Sequence, residues 1–176
     1  MGISWVEDLV SEYYKLKGYL VIENEDIVLP KKSNRIVQAH SDIDILAIKE
    51  NEIIHAECVL FWGPSKKDEP KWKAKLKDNL QKAEEKIKQN LGNQIKIKNV
   101  LVVGYKPNNP KEDGPWRRLE VFCSEEDIIL IDLNDVIKKL IHNLKKKYPK
   151  SKGKVGKHNK LISFLIYLLQ NKIDVN

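Results

Sequence analysis

Residues 41–61, SDIDILAIKENEIIHAECVLF, constrain what this chain can fold into more than any other stretch. Two apolar, β-branched runs flank the polar tetrad Lys49-Glu50-Asn51-Glu52, the pattern of a β-hairpin whose short loop sets the register. With Ile48 and Ile53 closing the loop, Leu46 falls opposite His55, Asp44 opposite Glu57 and Asp42 opposite Val59. Directly opposed residues lie about 4.5–5.5 Å apart at Cβ, so two facing carboxylates weaken the sheet unless something offsets their charge. A shared proton, a lysine or a hard divalent cation with its preference for oxygen ligands would do so. The alternative is a register slipped by one residue, which turns one of the acids into solvent.

Asp44-Ile45-Leu46-Ala47, a turn, and Ile54-His55-Ala56-Glu57-Cys58 together resemble the motif of the PD-(D/E)xK nuclease superfamily. The similarity is to the archaeal Holliday junction resolvases and Mrr-like nucleases, which carry an Asp on one strand and Glu-x-Lys on the next. The lysine position holds Val59 here. The resemblance spans roughly residues 3–142. It implies a restriction endonuclease-like α/β fold with an αβββαβ core, its mixed central sheet flanked by helices. It also implies metal-dependent hydrolysis of DNA phosphodiesters, with Mg²⁺ or Mn²⁺ held by Asp44, Glu57 and the carbonyl of Cys58.

In the resolvases a helical glutamate ahead of a Gly-aromatic pair reaches toward the strand acids. Glu7, ahead of Gly18-Tyr19, matches it, and the same residue can serve simply as a helix cap. Some members of the superfamily carry the lysine on the following helix, which makes Lys73 and Lys77 the candidate replacements for Val59. For any one of these lysines, plain helix solubility is the commoner explanation. Val59 also raises a different class of function, a catalytically degenerate nuclease fold kept as a DNA-binding or assembly module.

Length and composition frame these readings. A chain of 176 residues, 41% apolar and 32% charged, fits one globular domain with a real core. No secretory signal or long apolar span is evident, and the expectation is a cytoplasmic protein that does not enter the membrane. The two cysteines, Cys58 and Cys123, sit in apolar runs without metal-binding spacing and read as small buried residues rather than a disulfide. A net charge of +7 favours a polyanionic partner such as DNA. The excess is nearly all lysine, the arginines being Arg35, Arg117 and Arg118, and the Lys/Glu usage suits a thermophile.

Along the chain, Ser4-Trp5-Val6-Glu7 opens a helix with a capping-box pattern, and Val6, Leu9, Val10, Tyr13 and Leu16 form its apolar stripe. Gly18 ends it. Tyr19 to Ile22 reads as a strand, Asn24-Glu25-Asp26 as a turn, and Ile27 to Leu29 as a second limb stopped by Pro30. Lys31, Lys32 and Arg35 follow in a basic loop suited to phosphate contacts, or merely solvated. Pro70 then begins a long amphipathic helix with Trp72, Leu76, Leu80, Ala83, Ile87 and Leu91 on one face and Gly92 as its stop.

Val100 to Tyr105 is an apolar run expected for a strand buried on both faces. Trp116, Arg117 and Arg118 combine an aromatic plane with two guanidiniums, a set suited to nucleic acid, although Trp116 would equally anchor a loop in the core. Leu119 to Cys123 and Ile128 to Ile131 read as strands, and a helix with Val136, Ile137, Leu140, Ile141 and Leu144 on its apolar face completes a nuclease-like domain over residues 1–144. Residues 145–176 read as a lysine-rich linker and an apolar helix, Leu161 to Leu169, to be buried on its own domain or in a homodimer. His40, just before Ser41-Asp42, could support the site or act as a base, but a lone histidine in a strand is more often structural, and His40 and His55 both read so.

Overall fold

The computed structural model describes residues 4–28, 40–60, 65–104, 106, 111, 114–147, 162–163 and 165–166. Among these, helices and strands run in the order α1 (Ser4–Leu16), β1 (Leu20–Val28), β2 (His40–Lys49), β3 (Glu52–Val59), α2 (Glu69–Leu91), β4 (Lys96–Val103), α3 (Pro115–Glu125), β5 (Ile129–Asp132) and α4 (Leu133–Lys147). The first six follow the expected αβββαβ order. The protein is an α/β structure built on one five-stranded mixed sheet, β1-β2-β3-β4-β5, antiparallel from β1 to β3 and parallel from β3 to β5. Helices flank it on both faces, because each amphipathic helix must bury its stripe against the sheet.

On one face α1 and α4 pack Val6, Val10, Tyr13, Leu140 and Leu144 against Ile45, Ala47, Ala56 and Val100. Ile162 and Ile166, 0% and 1% exposed, join this same core, so the described part of the C-terminal apolar segment is buried on its own domain. The opposite face is covered by α2 and α3. There Leu76, Leu80, Leu119 and Phe122 meet Leu101 and Val103, while Ala83 and Ile87 meet Leu46 and Ile53. Val100 to Val103 are fully buried between the two layers, as the unbroken apolar run requires.

Three expectations are corrected. Asn24-Glu25-Asp26 is no turn but lies inside β1: Asn24 takes a left-handed conformation (φ 54°), which absorbs the local turn preference while Glu23 and Glu25 stay paired with Ile45 and Ile43. Leu119 to Cys123 is helical, since Pro115 sits in the first turn of α3 and Trp116, Leu119, Phe122 and Cys123 recur at helical spacing to form its buried side. Trp72 and Leu91, placed at the two ends of the α2 stripe, are 49% and 47% exposed. A helix of 23 residues spans roughly 35 Å, more than the roughly 26 Å of the 8-residue strands beneath it. Its terminal turns overhang the sheet.

Beyond the last residues of β3 and β4 the chain passes through a tight contact. Gly104 N–H donates to the Val59 carbonyl at 2.8 Å. A Cβ on Gly104 would stand 2.5 Å from the Leu60 carbonyl oxygen, so only glycine permits this approach.

Candidate active site

The hairpin forms in the expected register, with Ile48 opposite Ile53 and Leu46 opposite His55. Its ladder stops at Ile45 and Ala56, one step short of Asp44 and Glu57. Beyond that point β2 remains paired with β1 as far as His40, and β3 with β4 as far as Val59. The sheet therefore opens into a fork between its two central strands. The Cys58 amide donates to the Asp44 carboxylate, N to Oδ2 2.7 Å, so a side chain replaces a ladder hydrogen bond in the fork. Short bonds of this kind to an ionised acceptor are strong and directional, and this one aims the Asp44 carboxylate at the end of β3.

Glu57 is held on the other side of Cys58. His55 lies two residues earlier on the same side of β3, completely buried, with Nε2 3.1 Å from Glu57 Oε1 and Nδ1 3.2 Å from Asn99 Oδ1. Asn99 is the β4 residue in register with His55. Glu7 approaches from α1 and is 6% exposed. Burial pushes the Cys58 thiol well above its ordinary value, and the charges of Asp44, Glu7 and Glu57 push it further. The negative charge of carboxylates from three elements, α1, β2 and β3, is thus felt at this one partly buried thiol.

Among the described residues, no group of three or more Asp, Glu, His or Cys side chains is placed to hold a metal ion. A cation at the fork would instead take two carboxylates, a main-chain oxygen and water. That donor set is all oxygen and fits Mg²⁺ or Mn²⁺, which commonly bind through one or two carboxylates and keep several waters. Both carboxylates are already fixed through one oxygen by an N–H group, which suits a ligand that must hold its orientation.

The other candidate residues go elsewhere. Val59, at the lysine position, is partly buried and packs with Leu76, Leu80 and Val103. Lys73 pairs with Glu69 at 2.8 Å, and its ammonium lies 5.3 Å from the Phe122 ring. Lys77 pairs with Glu126 at 2.7 Å. Trp116 is a core anchor, 4% exposed, donating from Nε1 to Glu120 at 2.6 Å. Arg117 also binds Glu120, and Arg118 Nε reaches Glu69 Oε2 at 2.6 Å. Lys73, Arg117 and Arg118 line an open cleft of about 500 Å³ together with Glu120 and Val121. Lys31, Lys32 and Arg35 lie outside the described residues.

Two groups escaped the sequence reading. His55 and Asn99 carry the support of Glu57, and the available signal was the position of His55, two residues from Glu57 on a strand and therefore on its face. Glu69, 5% exposed, is the buried partner of Lys73, four residues on along α2, and of Arg118, and no local pattern announces the second contact with a residue so distant in sequence. Burial draws the Glu69 carboxyl upward, but hydrogen bonds from Lys73 and Arg118 outweigh it and hold the group below the ordinary carboxylate value.

No family model matches the chain, and no curated protein matches it. Among solved structures, the chain is similar to the small subunit of a heterodimeric restriction endonuclease, with a TM-score of 0.42 and 20% identity, over 96% of this chain and 81% of that one.

Proposed function

We propose that this protein is a PD-(D/E)xK-like nuclease domain that hydrolyses DNA phosphodiesters with Mg²⁺ or Mn²⁺. The observation that carries the reading is the fork itself, where the Cys58 amide holds Asp44 at 2.7 Å beside a Glu57 fixed by His55. Asp44, Glu57 and the Cys58 carbonyl are the groups that would hold the ion, with Glu7 orienting them from α1. When bound, such an ion supplies an activated water and stabilises the charge that develops on the phosphate oxygens. The protein's own share is to orient the two carboxylates and keep a negative pocket at the sheet opening. Arg117, with the basic loop that contains Lys31, Lys32 and Arg35, would grip the DNA backbone without reading sequence.

A second reading rests on Val59. No ammonium is supplied from that position, and Lys73 and Lys77 are committed to Glu69 and Glu126. A fold in this state binds DNA without cutting it. Plasmid and branched-duplex cleavage with Mg²⁺, with Mn²⁺ and with EDTA, run beside gel shifts at two salt concentrations, separates the two. Cation-dependent cleavage that disappears in Asp44→Ala supports hydrolysis. Salt-sensitive binding without any cleavage supports the second reading, and absence of both rejects each of them.

A further inference from the structure

The group around His55 is costly for a strand centre. Its ring is 0% exposed and lies in register between Leu46 on β2 and Asn99 on β4. A leucine or isoleucine would fill that space with no polar atoms to satisfy, as Ile53 and Ile54 do at neighbouring positions. Buried polar atoms need partners, and both ring nitrogens have found theirs in side chains, Asn99 on one edge and Glu57 on the other. A charged carboxylate only accepts, so the bond to Glu57 requires the proton on Nε2. Nδ1 meets the oxygen end of the Asn99 amide, and because that amide can present either its oxygen or its NH₂, the edge is satisfied whether or not Nδ1 carries a proton.

We propose that His55, held by Asn99, is a positioning residue that fixes the rotamer of Glu57 for cation binding. This rests on the metal-site reading above. Asn99 on β4 locks the ring, the ring locks Glu57, and the Cys58 amide independently locks Asp44, so the two carboxylates of the fork are each set by a neighbouring N–H before any ion arrives. The assignment differs from a structural histidine in one respect: what matters is a donor at the Nε2 position, and the Nδ1 contact alone is not enough.

Calorimetric titration of the full chain with Mn²⁺ tests this without any catalytic readout. His55→Gln keeps a donor near the Nε2 position, whereas His55→Asn keeps one near Nδ1 and cannot reach Glu57. Wild type and His55→Gln are expected to bind within about threefold of each other, and His55→Asn and His55→Leu about 10–100-fold more weakly, the usual loss on removing a group that orients a metal ligand. Equal affinity of the Gln and Asn variants overturns the role of His55 while leaving the metal site standing, provided Glu57→Gln abolishes binding. Wild type that binds no Mn²⁺ overturns the metal site and this proposal with it. Should the His55 variants fail to fold, Asn99→Ala at a less buried position decides: severalfold weaker Mn²⁺ binding supports the proposal and unchanged affinity overturns it.

Discussion

Two carboxylate sites in this molecule, one buried and one partly buried, are solved in opposite ways. At the corner of α2 and α3, Glu69 meets a lysine and an arginine at 2.8 and 2.6 Å. At the fork, Asp44 and Glu57 meet N–H groups, one from the backbone of Cys58 and one from His55. The first arrangement cancels charge where it stands and clamps two helices together. The second orients charge without supplying a lysine or arginine at those contacts. The first contact ties two helices by charge, while the second sets the direction of two carboxylates at the end of a strand pair, the feature on which the proposed cation site rests.

The contrast is broken most directly at the fork. Asp44→Ala should lower Mg²⁺-dependent cleavage by at least about 100-fold, the upper end of the loss when only an outer partner of a metal ligand is removed. Its stability should fall by about 1–3 kcal/mol, the cost of leaving the Cys58 amide without its acceptor, and a much larger loss would place Asp44 with the structural acids. At the corner the pattern should reverse. Arg118→Ala leaves Glu69 with one cation fewer in a largely buried position and should cost about 2 kcal/mol in denaturant unfolding, less than a fully buried pair because the arginine side chain is 25% exposed.

The same corner should reveal itself in acid. The Glu69 carboxyl lies below its ordinary 4.5 in the folded protein, so its contribution is fully present above pH 4.5 and is lost as pH falls through the depressed folded value. The difference in melting temperature between wild type and Glu69→Gln should therefore be constant near neutrality and shrink below pH 4.5. A difference that widens in acid would reverse the sign of the assignment. Smallest of all, Lys77→Ala should change stability by no more than about 0.5 kcal/mol, since its pair with Glu126 is exposed, and should leave cleavage unchanged. A rate loss of about 10²–10³ in that variant would instead make Lys77 the replacement for the missing motif lysine.

The hairpin was legible because its information is local. Alternating apolar residues and a short polar loop leave few registers open, and the observed pairing of Leu46 with His55 follows. The α1 stripe and the doubly buried β4 were equally plain. Where reading failed, a single residue or a distant partner decided. Asn24 carried the turn preference within a continuous strand, and the run after Trp116 has the β-branched and aromatic content of a strand but the spacing and leading proline of a helix. Asp44 was expected directly opposite Glu57, and the ladder instead ends one step before that pair, at Ile45 and Ala56. The support of His55 by Asn99 had no local signal, because that contact joins residues from strands separated by the whole of α2.

The missing side chain at Gly104, just past the end of β4, has reach beyond its own position. It lets the chain leaving β4 sit directly on Leu60 and the Val59 carbonyl, bracing the far end of the segment that carries Glu57 and Cys58. A methyl group there would have to displace the backbone of residue 60, and the displacement would travel two or three residues back along a rigid strand to the mouth of the fork. The strand end that follows Glu57 is thus held close by a hydrogen atom just past the end of β4.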